Sequence, residues 1–359
     1  MRMLIISSTV ATNTSAYQHR LNYLASSLRD AGVDTEMLYL GNSSLLGRHS
    51  FTCQLRVLWM NLPWGQYDYF LTTGALFGIL HHLRRRKGTQ VVYDCQGLRY
   101  SEIDLNNPPG RWWKAPLMHR LEKTAIRQCD LAITVSVPQL RHLEEWRGGP
   151  KGLTIIRNGV DADAFAPSER RSRQDGVFRV GYAGGFQSWQ AVDLLIAAAK
   201  ELRNRRDIAW RIIGFSATDQ SLKRQLAADL PEGAELIDRC DRGTLTRLLG
   251  ECDLLAIPRR PYLACQVALP TKFAEFAAMA KPVLVNTVDE TADITRQCNC
   301  GFVAESNGSS MADAISKAAA TDADTLHAMG LSGRRYVVQE MSWPVIGRRF
   351  REFLEANRK

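Results

Sequence analysis

The chain has 359 residues, which is too long for one typical hydrophobic core and suits two α/β domains. Hydrophobic residues make up 45% and charged residues 23% of the sequence, a globular balance that excludes disorder as the default. The net charge of +9 favours an anionic partner such as a nucleotide, a lipid diphosphate or a membrane lipid, while no nucleic-acid-binding motif accompanies it.

Cysteines and apolar runs bear on the cellular compartment. The eight cysteines include no pair of C-x-x-C motifs, so reduced thiols are expected rather than a zinc site. The apolar stretch within Met1 to Val10 is too short for a signal sequence, and no apolar run reaches membrane-spanning length. We therefore expect a cytoplasmic protein.

The first half of the chain predicts alternating strands and helices. Met3 to Ser7 is a short apolar run, Ala16 to Ala31 has helical apolar spacing, and Asp34 to Leu40 is rich in β-forming residues. Further strands are predicted at Tyr69 to Thr72, Gln90 to Tyr93, Leu131 to Val135 and Leu153 to Ile156. Alternation on this scale predicts a parallel sheet with helices on both faces.

A polar, turn-rich stretch, Pro167 to Gly176, predicts a linker before a second series of the same kind. Helices are predicted at Val192 to Leu202 and Thr271 to Met279. Strands are predicted at Phe178 to Tyr182, Trp210 to Ile213, Glu235 to Ile237, Leu254 to Ile257, Val283 to Val285 and Gly301 to Ala304. The fold class is therefore α/β, with Rossmann-like domains at residues 1–165 and 175–340, and a last helix within 341–359 that packs back on the first domain.

Loops that follow strands are candidate sites, because parallel sheets bind ligands beyond the carboxyl ends of their strands. Gly184 and Gly185 follow the first strand of the second half. Without side chains, they would let the backbone approach a phosphate or a sugar closely. A plain turn explains the pair equally well.

A stronger candidate lies after the strand that ends at Ile257. Arg259 and Arg260 follow that strand, and Thr271 and Lys272 open a later helix. Free backbone N–H groups at a helix start, together with nearby cationic side chains, make a diphosphate site.

Glu275 lies one turn into that helix, on the same face as Thr271 and Lys272. A carboxylate at this position can accept hydrogen bonds from both hydroxyls of a ribose. The alternative is a solvated charged face without a ligand.

Several segments, spread over nearly the whole chain, carry a family resemblance. They are Val91 to Leu98, Leu121 to Lys123, Asp130 to Ser136, Ile155 to Asp161, Gly181 to Trp189, Asp193 to Leu195, Leu269 to Phe276 and Ala280 to Val283. In their order and spacing they resemble the group-1 (family 4) glycosyltransferases of the GT-B fold.

The resemblance implies two Rossmann-like domains facing across a cleft, with the donor on the second and the acceptor on the first. It implies transfer of a sugar from a UDP- or GDP-sugar to a hydroxyl of a glycan, a lipid-linked or a small-molecule acceptor. Glycan, exopolysaccharide or glycoconjugate biosynthesis is the expected setting, without a metal or another cofactor. Lys272, the helix start at Thr271, and Arg259 or Arg260 would stabilise the leaving phosphate.

The chain departs from the family pattern at three positions. The family often has two Glu residues separated by seven others, of which Glu275 matches the second, ribose-binding one, while the first falls at Val267. The family's phosphate-binding Arg and Lys fall at Gly184 and Gln190, which are uncharged. These departures move the expected phosphate contacts to the cationic residues around Lys272.

On the acceptor side, Asp94, Gln96 and Glu102 follow a strand of the first domain. Asp94 is a candidate to position or deprotonate the acceptor hydroxyl, and a turn or helix-cap carboxylate is the alternative. Asn13 and Thr14 follow the first strand and are candidate acceptor contacts, with a helix N-cap as the alternative.

Two further segments carry signals for a membrane or a metal ion. The basic, aromatic segment from Trp112 to Arg127 predicts either a helix on the inner face of the membrane or a packed helix. Asp161 and Asp163 resemble a metal-binding pair, but their Asn-Gly-Val-Asp context favours a turn. The sequence is also compatible with two other functions, a nucleotide-sugar epimerase of the same fold and a non-catalytic GT-B partner protein.

Overall fold

The computed structural model describes residues 1–7, 16–39, 65–75, 79, 88–105, 113–168 and 176–359. The chain forms two compact units. The first consists of Met1–Gly159 together with Trp343–Lys359, and the second is the continuous segment Val160–Ser342.

In its described residues the first unit has one parallel sheet of six strands, in the order β2-β1-β3-β4-β5-β6. The strands are β1 (Arg2–Ser7), β2 (Asp34–Tyr39), β3 (Tyr69–Thr72), β4 (Gln90–Cys95), β5 (Leu131–Thr134) and β6 (Leu153–Ile155). The helices that accompany them are α1 (Ala16–Asp30), α2 (Arg99–Leu105), α3 (Lys114–Gln128) and α4 (Val137–Arg147).

The described part of the second unit also has one parallel six-stranded sheet, in the order β12-β11-β10-β7-β8-β9. The strands are β7 (Phe178–Ala183), β8 (Ile208–Phe215), β9 (Glu235–Asp238), β10 (Leu254–Ile257), β11 (Val283–Asn286) and β12 (Gly301–Ala304). The helices are α5 (Val192–Glu201), α6 (Gln220–Asp229), α7 (Arg242–Gly250), α8 (Leu263–Gln266), α9 (Thr271–Ala278), α10 (Glu290–Cys298), α11 (Gly308–Ala320) and α12 (Ala323–Met341). This is the strand order of a Rossmann domain.

Both sheets bury their two faces, which is why their inner strands are continuous apolar runs. In β1, Met3 and Ile5 pack in the core that contains α1, while Leu4 and Ile6 pack in a separate core on the opposite face. The second unit likewise has two cores, one on each face of its sheet. All twelve strands predicted from the sequence are confirmed, with ends within two residues.

The last helix, α13 (Trp343–Ala356), returns to the first unit and packs on α1. Phe350 and Leu354 are fully buried in its core. The two helices approach so closely at Gly347 that a β-carbon there would collide with the backbone carbonyl of Ser27. None of the described helices combines the length and apolar character needed to cross a bilayer. The seven described cysteines form no disulfide.

Candidate functional site

The strand order of the second sheet marks where a ligand would bind. β7 and β10 are neighbours, and the chain continues from β7 toward β8 but from β10 toward β11, on opposite sides of this pair. Open parallel sheets bind ligands at such a reversal, beyond the carboxyl ends of the strands. The loops that follow β7 and β10 therefore define the candidate site.

The loop after β7 brings Gly184 against the side chain of Lys272. Gly184 has a φ of +151°, and a β-carbon there would lie 2.6 Å from Lys272 Cε and 3.1 Å from the Tyr182 hydroxyl. Its carbonyl lies against Gly214 in turn, where a β-carbon would collide with it. A side chain at position 184 would displace the lysine, so this contact depends on glycine.

The Lys272 amine has neutral partners. Its Nζ donates to Gln190 Oε1 at 2.7 Å and to Tyr182 Oη at 3.2 Å, and lies 4.5 Å from the centroid of the Tyr182 ring. No carboxylate in the described part of the chain forms an ion pair with it. Because an ammonium group has three N–H donors, one is left for a ligand.

The surroundings of Lys272 disfavour its positive charge. Its pKa is lowered to about 7, chiefly by burial and then by the nearby Arg259 guanidinium, while the Glu275 carboxylate opposes the shift. A cation in such surroundings is stabilised when an anion binds beside it. The electrostatics therefore favour an anionic ligand.

Tyr182, near the end of β7, was not singled out from the sequence. Its hydroxyl donates to the Gly185 carbonyl at 2.6 Å, and burial raises its pKa well above the ordinary value. The neutral hydroxyl has one proton, which is given to Gly185, so toward Lys272 it acts as an acceptor. Strand alternation assigns Tyr182 to the core; only the length of its side chain brings the hydroxyl to the loop.

Helix α9 begins at the same point. No side chain caps its first turn after Pro270, so its N-terminal N–H groups and its dipole favour an anion. Thr271 is exposed at this end. Glu275 lies one turn further along; burial raises the pKa of its carboxyl, whereas Lys272 and Arg242 lower it.

Arg259 is held by groups of the protein, with a side chain that is almost fully buried. Its Nε lies 3.4 Å from Asp289 Oδ2, its Nη2 donates to Cys265 O at 3.1 Å, and its backbone N–H donates to Asn286 Oδ1 at 2.8 Å. These contacts hold the Arg259 side chain in place, and its contact with a phosphate stays a prediction. Arg259 contributes positive charge from within the protein.

Arg260 forms an ion pair with the exposed carboxylate of Asp193, at the start of α5. Its guanidinium is therefore also engaged within the protein. The structure thus divides the predicted donor residues into two groups. Direct contacts link Gly184, Gln190 and Lys272 and reach Gly185 through Tyr182, whereas Thr271, Glu275, Arg259 and Arg260 surround this centre.

Comparison with known families matches both halves of the chain. Residues 9–159 match the glycosyl transferase 4-like domain, and residues 177–321 match the glycosyl transferases group 1. The two matches together cover most of the chain. The chain belongs to the group-1 glycosyltransferases. It is an enzyme, and the predicted family is confirmed.

A named relative of this glycosyltransferase agrees with the family. A GDP-mannose-dependent monoacylated alpha-(1-6)-phosphatidylinositol monomannoside mannosyltransferase of Corynebacterium glutamicum is 22% identical over 241 residues. The match covers 64% of this chain and 63% of the relative, less than two thirds of that protein's length.

Solved structures show the fold. The sucrose-phosphate synthase from Thermosynechococcus elongatus has a TM-score of 0.77 and 15% identity, covering 99% of this chain and 98% of that chain. Anabaena HepE in complex with UDP has a TM-score of 0.73 and 16% identity, covering 99% of this chain and all of that chain. The predicted GT-B fold is confirmed.

In the first unit of the glycosyltransferase, Asp94 is fully buried and paired with Arg20. Arg20 donates from Nε to Oδ2 and from Nη2 to Oδ1, each at 3.0 Å, and also to the Ile156 carbonyl at 2.8 Å. Both carboxylate oxygens are thus engaged by a cation. Because the Asp94 side chain is also fully buried, this argues against the expectation that it positions or deprotonates an acceptor hydroxyl.

Gln96 donates to Asp94 Oδ2 at 2.7 Å, so it extends the buried ion pair. Glu102 lies in α2, where burial raises the pKa of its carboxyl and Arg99 lowers it. Asn13 and Thr14 lie outside the described residues, so the predicted acceptor set is brought together only at Asp94 and Gln96.

Glu122 of α3 was missed by the sequence reasoning. Its buried carboxylate accepts the backbone N–H groups of Arg99 at 3.0 Å and Tyr100 at 3.1 Å, which caps the start of α2. Burial raises its pKa to about 7. A carboxylate at an inward-facing helical position was the available signal for Glu122, and a cation at such a position was the signal for Arg20.

The described residues contain no cluster of three His, Cys, Asp or Glu side chains that could hold a metal ion. Asp161 Oδ1 accepts the backbone N–H of Ala164 at 3.0 Å, as the predicted turn requires.

Proposed function

We propose that the glycosyltransferase moves a hexose from a UDP- or GDP-sugar to a hydroxyl group of a glycan, a lipid-linked or a small-molecule acceptor. The observation that carries the donor part is the Lys272 amine, a cation with neutral partners at the strand reversal where α9 begins. A pyrophosphate would supply the missing negative charge. The Glu275 carboxylate, one turn along, would accept the ribose hydroxyls.

Both nucleotides have support among similar proteins. The corynebacterial relative is named as GDP-mannose-dependent, and the HepE structure contains UDP. As the bond to the sugar breaks, negative charge develops on the β-phosphate. Lys272 and the N-terminus of α9 are positioned to stabilise this charge.

Substitution of the two central residues tests the donor site. Lys272→Ala should weaken binding of UDP or GDP by about a hundredfold or more, because it removes the cation that contacts the diphosphate, and Glu275→Ala should weaken it by about tenfold, because it removes one charge-assisted hydrogen bond. Calorimetry would measure affinity, and turnover would be followed with a panel of UDP- and GDP-sugars. If the double variant binds and turns over donors like the parent protein, the proposal is wrong.

Lys281→Ala is the matched control. This lysine belongs to the same unit, its amine donates to the Gly250 carbonyl at 2.5 Å, and burial lowers its pKa. Its loss should affect stability but leave nucleotide affinity unchanged. Incubation of the parent enzyme with donor alone excludes epimerisation if the nucleotide sugar is recovered unaltered.

We further propose that transfer requires no divalent metal, because Lys272 and the start of α9 provide positive charge at the phosphate. Enzyme treated with EDTA and then dialysed should retain full turnover. A loss that Mg²⁺ or Mn²⁺ restores would contradict this part of the proposal.

Helix α3 supports a contact with a membrane surface. Trp113, at its start, is 48% exposed, and Leu117, one turn along, is 44% exposed. Arg120 and Arg127 lie on the same exposed face. An apolar end with basic residues suits the headgroup region of an anionic bilayer, and the corynebacterial relative is named for a lipid-linked substrate.

Co-sedimentation with vesicles of anionic and of neutral phospholipid would test this contact. Trp113→Ser with Leu117→Ser should reduce binding to anionic vesicles several-fold, since burial of both side chains is lost. Val137→Ser, at another partly exposed apolar side chain, is the control. Equal binding by all variants would contradict the assignment of α3.

A further inference from the structure

The Tyr182 hydroxyl contacts two parts of the donor site that are far apart in sequence, Lys272 and Gly185. Its hydroxyl accepts from Lys272 Nζ at 3.2 Å and donates to the Gly185 carbonyl at 2.6 Å. The lysine lies in the first turn of α9, whereas the glycine belongs to the loop after β7. One hydroxyl group therefore joins the cation to the backbone of the loop beside it.

The direction of each hydrogen bond is set by proton count. A phenol has one proton, and the Gly185 carbonyl can only accept, so that proton goes to Gly185. The phenol oxygen then has lone pairs to accept from Lys272. Because this oxygen is buried, exchanging its two partners for water would lose both bonds at once.

We propose that Tyr182 is a positioning residue for donor recognition, which aligns the Lys272 amine and the Gly184–Gly185 loop for the same diphosphate. This inference rests on the proposed function, because it concerns the same site. Tyr182 would not contact the reacting atoms. It would act through the lysine, with Gln190 Oε1 as the amine's other acceptor at 2.7 Å.

The aromatic ring alone would not suffice for this role. In Tyr182→Phe the ring would still lie under the amine, since its centroid is 4.5 Å from Nζ. The ammonium would keep one neutral acceptor instead of two, and the Gly185 carbonyl would lose its donor. The expected result is about tenfold weaker binding of UDP or GDP at pH 7, the effect of one hydrogen bond to a charged group.

The pH dependence of nucleotide binding separates positioning from mere packing. The groups that face the Lys272 amine are Tyr182 from β7, Arg259 from the loop after β10 and Glu275 from α9. Above neutral pH the affinity for UDP or GDP should fall as the amine loses its proton. In Tyr182→Phe the fall should begin up to about one pH unit lower, because the ammonium form has lost an acceptor.

Tyr69→Phe provides a matched control in the first unit. Its buried hydroxyl likewise donates to a backbone carbonyl, that of Leu354, at 2.8 Å. Both variants lose one hydrogen bond to a backbone carbonyl, so both melting temperatures should fall. Only Tyr182→Phe should change the affinity for nucleotide and its pH profile.

The outcomes distinguish this inference from the proposed function. If Lys272→Ala weakens nucleotide binding by about a hundredfold but Tyr182→Phe keeps the parent affinity and pH profile, the positioning role is overturned and the donor site stands. If the parent enzyme binds no nucleoside diphosphate, both are overturned.

If Tyr182→Phe fails to fold, the Gln190→Leu variant tests the same proposal. In that variant Tyr182 would be the remaining neutral acceptor of the amine. We expect binding to weaken by about tenfold without being lost. Binding reduced as completely as in Lys272→Ala would show that Tyr182 does not hold the amine, and would overturn the proposal.

Discussion

At the scale of single residues, the two units differ in whether a buried charged side chain has a counter-ion. In the first unit, Asp94 and Arg20 satisfy each other through two parallel hydrogen bonds, so the pair is complete. In the second unit, Lys272 has neutral acceptors and a depressed pKa. A buried ion is stable only when its charge is compensated. The first arrangement is therefore structural, and the second favours a ligand.

Breaking the Arg20–Asp94 pair should destabilise the first unit strongly. Asp94→Asn would leave the Arg20 guanidinium buried without a counter-ion, and the free energy of unfolding should fall by about 3–5 kcal/mol. Urea denaturation would measure this change. Asp207→Asn breaks the exposed pair between Arg205 and Asp207, which is also bidentate, and should change stability by about 1 kcal/mol or less.

Lys272 should reduce the stability of the enzyme without nucleotide in a pH-dependent way. Its pKa is about 7 in the folded state against an ordinary value of 10.5, so between these values the unfolded chain binds more protons. The penalty is full below pH 7 and disappears as the pH rises to 10.5. Lys272→Met should therefore stabilise the empty enzyme by about 1–3 kcal/mol at pH 7.

Urea denaturation of both proteins at pH 7 and at pH 9.5 would check this sign. The gain in stability from Lys272→Met should shrink at the higher pH. At pH 9.5 the lysine of the folded parent protein is already neutral, so it no longer carries a buried charge, while the lysine of the unfolded chain is still mostly protonated. A gain that grows with pH would contradict the assigned pKa. Nucleotide binding should be lost in the same variant, so stability and function oppose each other at this residue.

At the scale of elements, close approach depends on a few small residues. α13 lies against α1 where Gly347 meets the Ser27 backbone, which leaves no space for a methyl group. The remaining length of α13 buries Phe350 and Leu354. The glycine thus allows the two helix backbones to approach closely, and the large apolar side chains hold α13 in place along the rest of its length.

Gly347→Ala should separate α13 from α1. A β-carbon would collide with the backbone oxygen of Ser27, and overpacking of this kind costs about 1–3 kcal/mol despite the better helix propensity of alanine. Gly243→Ala in α7 is the control, because its β-carbon would lie 3.2 Å from the flexible Asp241 side chain. Thermal unfolding should show a loss for the first variant and no comparable loss for the second.

At the scale of the whole molecule, the two units differ in how the chain forms them. The second unit is one continuous segment, and its first and last residues lie side by side, since the Val160 N–H donates to the Met341 carbonyl at 2.8 Å. The first unit is completed only by the final helix. All of the proposed donor residues belong to the continuous segment.

Deletion of residues 343–359 should therefore affect the units unequally. The first unit would lose Phe350 and Leu354 from its core and expose the apolar face of α1, whereas the second would keep its sheet and its donor residues. We expect the shortened chain to bind UDP or GDP with nearly the parent affinity but to lose transfer to acceptor. Calorimetry and turnover would check this, and a folded second unit that no longer binds nucleotide would contradict it.

Much of the fold could be predicted from local patterns. The inner strands are apolar runs because both faces of their sheet are covered, and the sequence places all twelve strands within two residues of their observed ends. Thr271, Lys272 and Glu275 share a helix face through spacing alone, and the glycine pair after β7 was visible as a close-approach signal. The periodicity of the sequence predicts which face of a helix or strand each residue occupies.

The partners of charged residues were decided by the tertiary structure. Arg20 and Asp94 are 74 positions apart, Gln190 and Lys272 are 82 apart, and Tyr182 and Lys272 are 90 apart. Strand order brings each pair together, and no local pattern encodes strand order. The sequence by itself determined the elements and the family of this enzyme, because both depend on residue spacing. Only the folded chain decided that Asp94 is neutralised and Lys272 is not, because compensation of charge depends on neighbours in space.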